Sequence, residues 1–213
     1  MKGVIFDMDG VVVDNHSFHF EAWMEFSKRH KFELNAQIYR DKFNGKTNRD
    51  LFQLIFGDIS LEKIQILSEE KEGLYQQLYK ESMKALKGLV DFLEYLKMRK
   101  FKIALGTSAP TSNVDFVMDG LFLRKYFDVI VDGSMVSQGK PHPEIYLKAS
   151  AMLDLDPSDC FVFEDSLAGL ESGKRAGCKI IGVATSHEAF ELKPMTDLII
   201  HDFTEARKLM QYH

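Results

Sequence analysis

Two aspartates, Asp7 and Asp9, stand two positions apart at the end of the apolar run Val4-Ile5-Phe6, and Gly10 follows them. Carboxylates at that spacing, just past a strand end, can serve one phosphoryl transfer together, one facing the phosphorus and the other its leaving group. Gly10 lets the backbone turn tightly enough to permit this. Taken alone, an Asp-x-Asp-Gly is equally a surface turn. Carboxylates fixed at the end of a buried strand, however, cost free energy unless a cation or hydrogen-bond donors accompany them. A calcium loop fits poorly, because Val11 and Val13 occupy positions where such a loop places polar ligands.

Three further strand ends carry residues suited to the same reaction. Thr107-Ser108 follows Ile103-Ala104-Leu105-Gly106, and Glu164-Asp165 follows Cys160-Phe161-Val162-Phe163. Gly139-Lys140-Pro141-His142-Pro143 comes a short loop after a third run. In open parallel sheets, ligands bind beyond the carboxyl ends of the strands. The Thr107 hydroxyl, with the backbone N–H groups that follow from Ser108 onward, can hold a transferring phosphate. Lys140 offers a point charge for a carboxylate and a phosphate. The plainer readings are a helix cap for Thr107, a solvated Lys140, and Glu164-Asp165 as capping acids before a helix near Ser166. His142 reads as structural, and Pro143 fits the first turn of a helix.

Positioning these groups requires alternating strands and helices. Apolar runs predict strands at Val4–Phe6, Lys102–Gly106, Val129–Val131, Phe161–Phe163, Ile180–Val183 and Leu198–Ile200. Helical patterns lie around Leu89–Lys97, Asn113–Leu121, Pro143–Leu153, Leu167–Arg175 and Thr204–Met210, with Gly177 placed to end the fourth. That alternation predicts a doubly wound α/β fold with a parallel sheet. From Asn15 to Met83 the pattern is helical only. Phe18, Ala22, Phe26 and His30 share one helical face there, and Leu74, Leu78 and Ser82 another. The expected organisation is an α/β core of residues 1–14 and 84–213, with residues 15–83 inserted as a helical cap.

The four ordered motifs, with a helical insertion between the first and second, resemble the haloacid dehalogenase superfamily and within it the β-phosphoglucomutase-like branch. The resemblance implies a Rossmann-like core and Asp7 as the nucleophile that forms an aspartyl phosphate. It implies that Asp9 protonates the leaving oxygen and then activates the next nucleophile. Mg²⁺, which prefers oxygen ligands, is expected on Asp7, the backbone carbonyl of Asp9 and Asp165, with Glu164 direct or through water. In the cap, His19 stands where the branch has a histidine linking the acid/base aspartate to substrate, and Trp23 also matches. Gly45-Lys46-Thr47-Asn48-Arg49-Asp50 resembles the cap loop that enters the site. The mutases' loop arginine aligns with Asn48, and Arg49 follows it. Lys71 resembles a cap lysine that contacts a second phosphate in the mutases. The plainer readings are a surface histidine for His19 and surface pairing of Lys71 among Glu69, Glu70 and Glu72.

Composition bounds the rest. With 213 residues, 45% hydrophobic and 28% charged, the chain can bury a core without staples. No apolar run approaches the roughly 20 residues of a membrane span. The net charge of −5 argues against nucleic acid. Only three apolar residues precede Asp7, too few for a secretory signal. Cys160 and Cys178 read as buried free thiols. The expectation is a cytoplasmic monomer that acts on a small sugar phosphate as a phosphatase or phosphomutase, without nucleic-acid or membrane partners. The alternatives are a metal-independent dehalogenase, which leaves Asp9 and Glu164-Asp165 unexplained, and a catalytically silent binding protein on the same scaffold.

Overall fold

A computed structural model describes residues 2–43 and 46–206. The first strand, β1 (Gly3–Phe6), is fully buried. Helices α1 (His16–His30), α2 (Ala36–Lys42), α3 (Asn48–Phe56) and α4 (Leu61–Tyr79) follow it. The chain then alternates α5 (Leu89–Met98), β2 (Lys102–Gly106), α6 (Thr111–Gly120), β3 (Val129–Val131), α7 (Glu144–Met152), β4 (Cys160–Glu164), α8 (Leu167–Ala176), β5 (Lys179–Val183) and β6 (Leu198–Ile200). Every strand pairing is parallel and the order is β3-β2-β1-β4-β5-β6, the doubly wound sheet expected from the alternation.

Because helices cover both faces, the strands are apolar throughout rather than alternating. Val4, Phe6, Leu105 and Phe163 point to one face with Phe92, Val114 and Phe203, while Ile5, Ala104 and Val162 point to the other with Tyr146, Ala149 and Leu170. Phe6 stacks on Phe163 with centroids 5.1 Å apart. The register sets Phe6 opposite both Leu105 and Phe163, so the residues after β1, β2 and β4 emerge at one level. Cys160 and Cys178 are buried free thiols.

The four helices after β1 bury a cluster of their own that includes Trp23, Phe26, Phe52 and Leu67. Asn35, Thr47 and Ser60 cap α2, α3 and α4 through their side chains. One expected face is corrected: α4 does not bury Leu74, Leu78 and Ser82 together. Leu78 is 41% exposed, and the inward face is Leu67, Lys71, Tyr75 and Tyr79. Reading only the aliphatic residues hid a stripe made of tyrosines and a lysine. Helices α6 and α8 match their patterns to within two residues, Pro143 precedes α7, and Gly177 closes α8 at φ 90°. Of the last expected helix, Thr204 and Glu205 lie in a turn, and the stretch from residue 207 lies outside the described residues, as does Gly45.

Candidate active site

The site grows from the ends of the central strands. Beyond β1 and β2 the ladder continues for one bond each, Asp7 N to Phe163 O at 3.0 Å and Thr107 N to Val131 O at 3.0 Å, which pins both residues at the sheet edge. The chain then turns at Gly10, whose φ is +81°. A Cβ there would lie 2.3 Å from Asp165 Oδ2 and 2.4 Å from His16 Nε2, so only glycine allows these groups to close around the turn.

Asp7 is 7% exposed and forms an ion pair with Lys140 Nζ at 2.9 Å, although its Oδ1 receives no aligned hydrogen bond among the described residues. Lys140 also donates to Glu164 Oε1 at 2.6 Å. Glu164 is fully buried and saturated: Tyr146 Oη donates to Oε1, while Asp165 N, Ser166 N and Ser166 Oγ donate to Oε2. The cap of α8 is therefore the Ser166 hydroxyl, which accepts from Gly169 N, and not either acid. Asp165 receives His16 Nε2 at 2.7 Å.

Burial pushes the Asp7 carboxyl well above its ordinary value, and Glu164, Asp165 and Asp9 push the same way against Lys140. Burial would also raise Asp9, but His19, the Asn15 hydrogen bond and His16 outweigh it and hold Asp9 low. Burial opposes a charge on His16, yet Asp165 lifts its pKa to about 9. Four carboxylates thus face two cations, Lys140 and His16. Asp7, Glu164 and Asp165 place ligand oxygens within 4.8 Å of one another. An oxygen-rich cluster with excess negative charge suits a hard divalent cation.

On the helical side, Asn15 Nδ2 donates to Asp9 Oδ1 at 2.7 Å and contacts Tyr75 Oη at 2.6 Å. His19 stacks on Tyr75, with Nε2 3.6 Å from Asp9 Oδ1 and Nδ1 2.9 Å from Lys71 Nζ. His19 and Lys71 are both buried, so neither is a surface residue. With Nδ1 accepting from Lys71, the remaining proton of neutral His19 sits on Nε2, facing Asp9.

One cleft brings together Asp7, Asp9, Thr107, Ser108, Lys140 and Asp165 with His19, Asn48 and Lys71. Thr107 Oγ1 accepts from Ala109 N at 3.1 Å and so shapes the loop beneath it. Glu164 lies behind Lys140. Arg49 is not brought in; it lines an adjoining hollow with Asp50 and Gln65, because the one-residue offset from Asn48 turns it away. Sequence reasoning missed Asn15, His16, Glu72, Asn113 and Tyr146. Asn15 and His16 were findable as polar residues closing the turn after Gly10, and Glu72 as the neighbour of Lys71. Asn113 and Tyr146 carry no signal except helical phase.

A sequence profile described as haloacid dehalogenase-like hydrolase matches residues 4–183. A phosphorylated carbohydrates phosphatase from Thermotoga maritima is 36% identical over 192 residues, 87% of each chain. A β-phosphoglucomutase from Bacillus subtilis is 33% identical over 191 residues, 86% of this chain and 83% of that one. The crystal structure of a family IA, variant 3 hydrolase of the same superfamily from Entamoeba histolytica aligns with a TM-score of 0.85 at 34% identity, covering 96% of this chain and 95% of that one.

Proposed function

The chain belongs to the haloacid dehalogenase-like hydrolase family, and we propose that it moves a phosphoryl group from a small phosphorylated carbohydrate to Asp7 and then to water. The observation that carries this reading is the placement of Asp7, buried beside Lys140 and two further carboxylates, with one oxygen left without an aligned donor. In this reading Asp7 attacks phosphorus, Thr107 and the backbone after it hold the phosphoryl oxygens, and Lys140 offsets their charge. Asp9 takes up a proton when the negative charge of the bound phosphate offsets the groups that otherwise hold its pKa low, gives that proton to the leaving oxygen and later takes one from the attacking water. His19 and Asn15 orient it. Mg²⁺ held by Asp7, the Asp9 carbonyl and Asp165, with Glu164 behind them, would supply further neutralisation of the phosphoryl charge.

The core of residues 1–14 and the chain from 84 onward carries this chemistry, and residues 15–83 act as a cap that excludes bulk water and selects the substrate. Among the described residues no helix is long and apolar enough to cross a membrane. A dehalogenase working without metal has no use for the acids around Lys140. A phosphomutase outcome is the second reading: it needs Lys71, which lines the cleft beside His19, released from Glu72 to take a second phosphate.

A panel of sugar phosphates assayed for phosphate release with Mg²⁺ and with EDTA tests the proposal. Release that EDTA stops and Mg²⁺ restores is expected; undiminished release after thorough metal removal contradicts the metal's role. Conversion of β-glucose 1-phosphate to glucose 6-phosphate in a coupled assay, without free phosphate, would replace the phosphatase reading with the mutase.

A further inference from the structure

Glu72 stands in the cleft with Asp7, yet the chemistry above does not use it. It is 4% exposed, and its carboxylate is fully occupied. Asn48 Nδ2 donates to Oε1 and Asn113 Nδ2 to Oε2, both at 2.6 Å, while Lys71 Nζ lies 3.0 and 3.1 Å from the two oxygens. Two carboxylate oxygens offer about four acceptor sites, and these contacts fill them. Lys71 is equally committed: two of its protons serve Glu72 and the third faces His19 Nδ1. The groups come from three separate places, the start of α3, the middle of α4 and the first turn of α6, where Gln76 Nε2 also donates to Asn113 Oδ1 at 3.0 Å. Burial opposes the Glu72 charge, but Lys71, His19 and the two asparagines outweigh it and hold the carboxyl below its ordinary value.

A cation recognises a phosphate with charge and N–H groups to spare, and Lys71 has neither while Glu72 holds it. A second phosphate placed there would meet a buried carboxylate. An amide held by one N–H, by contrast, keeps a second N–H and a carbonyl, so Asn48 still has a donor and an acceptor for uncharged hydroxyls. Of the other cations lining the cleft, Lys140 and His16 are paired with Asp7, Glu164 and Asp165, and Lys46 is exposed, where solvent and salt screen it.

We propose that Glu72 sets the specificity of the site: by neutralising Lys71 and fixing Asn48 and Asn113, it selects a monophosphate whose remainder is an uncharged polyol and rejects one bearing a second phosphate. This rests on the phosphatase reading above.

The test measures phosphate release from matched pairs, glucose 6-phosphate with glucose 1,6-bisphosphate and fructose 1-phosphate with fructose 1,6-bisphosphate. The wild-type enzyme is expected to favour the monophosphate in kcat/KM by at least tenfold. Glu72→Gln, which keeps the shape but frees Lys71, is expected to shift the ratio at least tenfold toward the bisphosphate, through a lower KM for the bisphosphate. Glu72→Asp, which keeps the charge, is expected to stay nearer the wild-type ratio. If Glu72→Gln fails to fold by circular dichroism, Asn113→Leu, which loosens the carboxylate, is read instead and is expected to move the ratio the same way by at least threefold. A wild-type preference for the bisphosphate, or a ratio the folded variants leave unmoved, overturns the role of Glu72 and leaves the phosphatase reading standing. Release from no monophosphate or bisphosphate overturns both.

Discussion

The ammonium of Lys140 lies 2.6 Å from the buried carboxylate of Glu164. That bond holds the same ammonium 2.9 Å from Asp7. Replacing Lys140 by Met leaves two buried carboxylates without their cation, a change that costs about 3–5 kcal/mol where one partner of a buried pair is removed. The variant is expected to lose several degrees of Tm and at least about a hundredfold in kcat/KM, and to gain more Tm from added Mg²⁺ than the wild type does. Thermal unfolding with and without Mg²⁺ measures both effects, and an unchanged Tm would contradict the packing described.

Two glycines on helices separate propensity from packing. Gly73, within α4, has open space where a Cβ would go, so Gly73→Ala is expected to stabilise by up to about 1 kcal/mol. Gly169, within α8, has Glu164 Oε1 1.7 Å from that position. Glu164 is fixed by five hydrogen bonds and cannot swing away. Gly169→Ala is therefore expected to destabilise by about 2 kcal/mol or more despite the better helix former. Chemical denaturation of both variants decides, and a stabilised Gly169→Ala would show that the Glu164 pocket is looser than described.

His16 makes stability pH-dependent. Its folded pKa of about 9 stands above an unfolded value of about 6.5, because Asp165 outweighs the cost of burial. A raised pKa means that the folded state holds the proton more tightly. The contribution, up to about 3 kcal/mol, is thus complete below pH ~6.5 and is lost as pH rises through ~9. In EDTA, the wild type should lose Tm between these limits more steeply than His16→Gln. Parallel curves for the two proteins would refute the pairing.

The sheet was legible because its strands are buried on both faces and read as unbroken apolar runs. The groups at their ends stand out by type: an acid or lysine at the edge of such a run has no packing reason to be there. The helical side was legible only in outline. Tyr75, Lys71 and Glu72 form the inward stripe of α4, and hydrophobicity cannot distinguish such a stripe from a solvated face. The Asn48 and Arg49 offset depends on where α3 begins, which Thr47 fixes by capping Asp50 N. The partnership of Asn113 with Glu72 joins residues 41 positions apart, and no local pattern announces it.

The proposed mechanism requires that Asp7 take the phosphoryl group. Its most direct test is acid-quench trapping during turnover of a sugar phosphate with Mg²⁺, followed by peptide mass analysis. The wild type is used, because Asp9→Asn would remove the acid that forms the intermediate as well as the base that hydrolyses it. A hydroxylamine-sensitive phosphoryl adduct on the peptide carrying Asp7, absent in Asp7→Asn, is the predicted result. An adduct on another residue, or phosphate release that persists undiminished in a folded Asp7→Asn variant, would contradict it.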